Sequence, residues 1–194
     1  MPPGLSRPPA AFYFDLASPE AYLAAEQVLH TLPGPAEWRG VLGSGLAGAA
    51  IPRADEEFRA AIARRAGKLE LQPLRWPDPF PFDSRLAMLV ATYARSIGRA
   101  VPFAQAAFRQ AYAGGRSLAE EDSVLIAAAA CEMHPAAVLR ATAMRSVAEA
   151  LEEATAAAAA DGVRALPAVR VGELVFHGER SLGEAARAMR EAAR

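Results

Sequence analysis

Segments that favour β-structure occur only near the two ends of this 194-residue chain, and the long stretch between them reads as helix throughout. Any sheet must therefore be assembled from amino-terminal and carboxyl-terminal pieces, with the helical block inserted between them. At the amino-terminal end, residues 11–16 alternate aromatic and β-favouring side chains as a buried strand does. Ser18-Pro19-Glu20 then starts a helix: Ser18 caps a free backbone N–H, Pro19 suits the first helical position, and Glu20 faces the positive end of the helix dipole. The spacing predicts a helix to about Thr31, a break at Pro33-Gly34-Pro35 and a second strand over 37–42. That is a strand–helix–strand opening.

From about 53 to 160 apolar residues recur at spacings of three and four among many Ala, Arg and Glu, which predicts five or six helices. The punctuation falls at Gly67, at the aromatic and proline segment 75–82, at Gly98, at Gly114-Gly115 and at His134-Pro135. Asp161-Gly162 stops the last of these helices. Residues 167–171 and 174–177 then form a hairpin about Gly172-Glu173, and a helix over 182–192 follows. The expected organisation is a Pro-rich leader over 1–10, a sheet-bearing domain from 11–48 and 162–194, and a helical insertion over 49–161.

Charge and cysteine usage narrow the function classes. The chain has 21 basic and 22 acidic side chains and no long run of either sign, so a nucleic-acid groove or a basic membrane patch is not expected, and the expected partner is a small molecule. A single cysteine, Cys131, excludes an internal disulfide, a CxxC redox pair and a multi-cysteine zinc site. It lies in an apolar run and reads as a small core side chain. The opening residues carry too many prolines for a signal peptide, and no segment offers about 18 unbroken apolar residues. These features predict a soluble, cytoplasmic protein.

Ser18, between a strand and a helix, reads either as a plain N-cap or as a group placed to hold an anion at a helix start. Gly43-Ser44-Gly45-Leu46-Ala47-Gly48 matches GxGxxG, but Pro52 falls where a dinucleotide-binding helix should be running, so a flexible loop beside a pocket is the expectation. Leu166-Pro167 opens a strand, where a proline belongs to an edge or beside a site; trans is the default for an isolated X-Pro bond. His30, His134 and His177 are far apart and read as surface or helix-end residues, so no metal site is expected. Trp76, Phe80 and Phe82 make their loop too apolar for water. It packs between the two subregions or lines a hydrophobic substrate pocket.

Four stretches together resemble a known family, the 2-hydroxychromene-2-carboxylate isomerases and kappa-class glutathione transferases of the DsbA-like branch of the thioredoxin fold. They are Phe12-Tyr13-Phe14-Asp15-Leu16-Ala17-Ser18-Pro19 with Ala21-Tyr22-Leu23, Pro81-Phe82-Asp83-Ser84, Gly162-Val163-Arg164-Ala165-Leu166-Pro167, and Gly172-Glu173-Leu174-Val175-Phe176-His177-Gly178. The resemblance implies an α/β fold, a thioredoxin-like sheet with an inserted all-helical domain, in which Ser18 stands where relatives that exchange disulfides carry cysteine. It implies a borrowed thiol: Ser18 hydrogen-bonds the sulfur of bound glutathione, or of another low-molecular-weight thiol, and helps keep it a thiolate. Leu166, before a cis Pro167, pairs through its backbone with the cysteinyl part, and the loop after the last hairpin holds the γ-glutamyl end. The implied activity is isomerisation of, or thiol transfer to, an aromatic electrophile, and the implied assembly is a homodimer.

The sequence departs from that pattern in places. Where the family has an Asp-Arg pair after the hairpin, this chain has Glu179-Arg180 one residue on, so either could grip the γ-glutamyl end. The Asn common after the second strand is missing from the 43–48 loop. The alternative function is accordingly a non-catalytic binding protein that keeps the scaffold without redox cysteines.

Overall fold

The structure is a computed structural model describing residues 10–48, 54–178 and 180–193. The expected leader lies outside the described residues except for Ala10, which opens the first strand. Strand β1 (Ala10–Phe14) leads into helices α1 (Pro19–Ala25) and α2 (Val28–Thr31), then strand β2 (Ala36–Gly40). Among the described residues six helices follow: α3 (Glu56–Lys68), α4 (Arg85–Ser96), α5 (Ala100–Tyr112), α6 (Glu121–Ala129), α7 (Pro135–Thr142) and α8 (Arg145–Ala160). Strands β3 (Ala168–Val171) and β4 (Leu174–His177) and helix α9 (Ser181–Ala192) complete the order.

The four strands form one sheet in the order β2-β1-β3-β4. β1 runs parallel to β2 and antiparallel to β3, which pairs with β4 as a hairpin. All five residues of β1 are buried, so the sheet is covered on both faces. The two-residue period sends Phe12 and Phe14 into the main core with Trp38, Val169 and Leu182, and Ala11 and Tyr13 into a smaller one with Val41, Ala158, Val163 and Ala168.

Helix α8 is fastened to the sheet at two points. The Thr155 hydroxyl accepts from the Leu42 N–H at 3.0 Å, and the Tyr13 hydroxyl donates to Asp161 Oδ2 at 3.0 Å. On the opposite face Phe108 of α5 is fully buried and touches the rings of Phe14, Tyr22 and Tyr112, with centroids 5.8, 6.1 and 6.5 Å away. The helical block and the sheet thus share one core.

Two expectations about helix boundaries fail for local reasons. The first helix does not run unbroken to Thr31. The Gln27 side-chain amide donates to the Leu23 carbonyl at 2.8 Å, the partner an α-helix would give to the Gln27 N–H, and that N–H turns to Ala24 instead. Gly67 does not punctuate either: it lies inside α3, which ends when the Leu71 N–H reaches back to the Ala66 carbonyl and Glu70 takes a φ of 55°. His134 caps α7, its Nδ1 accepting from Ala136 N–H, with Pro135 in the first turn. Cys131 is buried, and burial raises its thiol pKa.

Because Phe108 joins strand, first helix and α5, Phe108→Ala should lower the unfolding free energy by about 3–5 kcal/mol. Urea unfolding followed by circular dichroism checks this, and the transition should stay single.

Candidate functional site

The turn from β1 into α1 is built around Asp15, which is buried. Its main-chain carbonyl accepts from Ser18 N–H at 3.0 Å and its Oδ1 from Ala17 N–H at 2.9 Å, closing the turn that presents Ser18. Oδ2 accepts from Gly43 N–H at 2.8 Å, and the hydroxyl of Ser84, the residue before α4, hydrogen-bonds the same carboxyl. Burial raises the Asp15 pKa above its ordinary value against these three hydrogen bonds, and the Asp83 charge adds to the rise.

Ser18 is half-buried and caps α1, with Oγ accepting from Ala21 N–H at 3.1 Å. Its hydroxyl proton points to Glu20 Oε2 at 3.3 Å. The cap is therefore present, and the hydroxyl is only weakly committed as a donor.

Leu166-Pro167 is a cis peptide. The β1–β3 ladder ends where Tyr13 pairs with Ala168, which leaves cis Pro167 and Leu166 just beyond it, at the end of the sheet where β1 runs on into the Ser18 turn. A Cβ on Gly43 would stand 3.3 Å from Asp15 Oδ2 and 3.6 Å from Leu166 Cδ1, so the Ser18 turn, the Gly43 segment and the proline segment meet at one point.

Nor is the glycine segment the loose loop expected. Gly43–Gly45 forms a short 3-10 turn held by Asp15, and Gly48 N–H donates to the Arg164 carbonyl at 3.0 Å, where a Cβ would come within 2.6 Å of that oxygen. His177 Nε2 accepts from Arg164 N–H, tying the same segment to β4. Gly178 N–H donates to the Pro167 carbonyl at 2.8 Å, which brings the chain before α9 to the proline. Arg180 is exposed there, and Glu179 lies outside the described residues.

The aromatic segment divides. Trp76 and Phe80 are half-buried and meet edge to face at 4.8 Å, whereas Phe82 is buried in the main core. Asp78-Pro79 and Phe80-Pro81 are also cis. Arg59 of α3 lays its guanidinium 5.0 Å from the Trp76 ring and 5.6 Å from the Phe80 ring. Both aromatics pack edge-on against Tyr112, at 6.2 and 6.4 Å, and Tyr112 stacks on Tyr22 of α1 at 5.5 Å.

Sequence reading passed over Asp15, Arg59 and Tyr112. An acid directly after an aromatic strand was the available signal for Asp15. Tyr112 sits on the buried face of an ordinary amphipathic helix and offered none. Among the described residues no His, Cys, Asp or Glu side chains gather as metal ligands, and no helix is long and apolar enough to cross a membrane.

A sheet in this order, with a cis proline opening the strand beside β1 and a helical block between β2 and β3, is the DsbA-like thioredoxin fold. The family profile described as the DSBA-like thioredoxin domain matches residues 43–190, and the chain belongs to that family. No sequence match to a curated protein emerged.

Among solved structures, a 2-hydroxychromene-2-carboxylate isomerase superposes with a TM-score of 0.83 at 19% identity, over 95% of this chain and 96% of that one. A probable DsbA oxidoreductase from Streptomyces coelicolor gives 0.79 at 18% identity, over 95% and 89%. The cytosolic disulfide reductase DsbM from Pseudomonas aeruginosa, determined with GSH, gives 0.65 at 16% identity, over 95% and 98%. At these identities the likeness is one of fold.

Folding raises the Asp15 pKa, so the folded protein holds that proton more tightly than the unfolded chain. The contribution of Asp15 to stability therefore falls as pH rises from its unfolded value, 3.8, through the folded one. Asp15→Asn removes the titration but turns one accepting oxygen into a donor, which should cost about 1–3 kcal/mol at low pH. Urea unfolding of both proteins at about pH 4 and about pH 7 should show the wild-type advantage shrinking as pH rises.

Proposed function

We propose that this protein is a thiol-dependent isomerase or transferase of the 2-hydroxychromene-2-carboxylate type, acting on an aromatic electrophile with glutathione or a similar small thiol. The observation that carries the reading is Ser18 in the turn between β1 and α1, meeting Leu166 and cis Pro167 through Asp15 and Gly43. That turn holds a hydroxyl, and the chain's single thiol, Cys131, is buried in an apolar helix-end site. Disulfide exchange needs a thiolate in the turn. On this reading the arrangement binds a thiol supplied from solution.

The residues present fit such a ligand. Leu166 lies beyond the last β1–β3 pair, so its main-chain groups are not taken up by that ladder and would pair with a peptide. Ser18 would turn its proton from Glu20 to the ligand sulfur while Oγ keeps the Ala21 cap. Arg180, two residues past the Gly178 that bonds the Pro167 carbonyl, would hold the γ-glutamyl end. When bound, glutathione supplies the sulfur nucleophile. Trp76 and Phe80 would cover the aromatic substrate and exclude water, with Arg59 stacked on both as a cation for an acidic substrate. Support also comes from the isomerase with the same fold over nearly the whole chain and from a relative determined with GSH.

Calorimetric titration with glutathione should give saturable binding. Ser18→Ala should weaken it about tenfold and cut thiol-dependent turnover of an arylidene pyruvate by a similar factor or more. Loss of the cap should lower stability by about 1 kcal/mol. Binding without any effect of the substitution removes Ser18 from the mechanism, and absence of binding turns the reading toward a binding protein for another ligand.

A further inference from the structure

Tyr112 ends α5 with its side chain 1% exposed, and its hydroxyl is a buried polar atom with no hydrogen-bond partner. A buried donor left unpaired costs about 1–3 kcal/mol, so a phenol kept in this state calls for a partner that is present only part of the time.

Its surroundings say which. The Tyr112 ring lies nearly parallel to that of Tyr22, with 24° between their planes, and Tyr22 is one helical turn beyond Ser18, on the same side of α1. The charges that act on its hydroxyl are the carboxylates of Asp15 and Glu20, the two acids flanking Ser18. Trp76 and Phe80, both half-buried, also meet the ring, edge to face. The two other buried hydroxyls without a partner among the described residues, Ser123 and Ser181, stand on α6 and at the start of α9.

The Ser18 turn by itself is a poor holder of an anion. Its Oγ already accepts from Ala21, and its proton points at the carboxylate of Glu20. A thiolate placed there needs a further donor that carries no negative charge.

We infer that the Tyr112 hydroxyl is that donor, hydrogen-bonding the sulfur of a thiol bound at the Ser18 turn once Trp76 and Phe80 give way to the ligand. The inference rests on the thiol-dependent reading above and adds to it a second donor on a different helix. Burial suits the role: it raises the phenol pKa well above the ordinary value, so Tyr112 keeps its proton and donates without becoming a third negative charge.

The test is Tyr112→Phe, compared with wild type and Ser18→Ala. Glutathione affinity is read by calorimetry, the ionisation of the bound thiol by thiolate ultraviolet absorbance against pH, and the melting temperature by scanning calorimetry. Expected for Tyr112→Phe are affinity down about tenfold above the thiol's pKa, a bound-thiol midpoint raised by about one pH unit, and a melting temperature unchanged or higher, because no native hydrogen bond is lost. Wild-type affinity and midpoint in Tyr112→Phe, beside weakened binding in Ser18→Ala, would overturn this inference alone. A fall in melting temperature with the midpoint unmoved would make Tyr112 a packing residue and also overturn it. Wild-type protein that binds no glutathione would remove both this inference and the function proposed above.

Discussion

A single buried carboxyl holds the candidate site together. Asp15 takes main-chain N–H groups from its own turn and from the segment after β2, and a hydroxyl from the start of α4. Three pieces of chain that are distant in sequence are thereby brought to one point, with Leu166 lying against the same glycine. A carboxyl removed from water is unfavourable, and the hydrogen bonds it collects offset that cost only in part, as the direction of its pKa shows. The sheet tolerates the arrangement because Asp15 sits just past the end of β1, where main-chain donors leave the ladder and need acceptors.

The glycines around this carboxyl act through what they lack. Gly43 lets Asp15 and Leu166 approach a backbone directly, and Gly48 lies so near the Arg164 carbonyl that a Cβ has no room. Their hydrogen bonds tie the end of β2 to Asp15 and to the segment before the cis proline. The GxGxxG spacing here serves contact between two stretches of protein backbone.

The fold was legible because its strong signals are local. Alternating aromatics in β1, Ser18-Pro19 at a helix start, Asp161-Gly162 at a helix end and Gly172 in a hairpin each act within a few residues. The break after Ala25 escaped because it turns on one glutamine side chain competing for a carbonyl, and Gly67 misled because a helix tolerates a glycine when later contacts decide where it stops. Ser18 and Pro167 could be named from motifs. Asp15 had only its place after an aromatic strand as a signal, while its bond to Gly43 at 28 residues' distance, the packing of Arg59 on the rings of the loop after its helix and the stacking of Tyr112 on a tyrosine of another helix are recorded by no local pattern.

The position of β1 in the sheet also bears on how the chain reaches its fold during synthesis. β1 is interior, but only β2 among its neighbours is made soon after it; the Tyr13–Arg170 bond spans 157 residues. On a ribosome the strand's other edge, bearing Phe12, Tyr13 and Phe14, stays open until residues 168–171 emerge. Helices α3 to α8 are made in that interval, and α4, α5 and α8 pack on β2. Until β3 emerges β1 has only one of its two sheet partners available, so any early pairing with β2 leaves an aromatic edge unpaired, the kind of edge that is open to pairing with another chain.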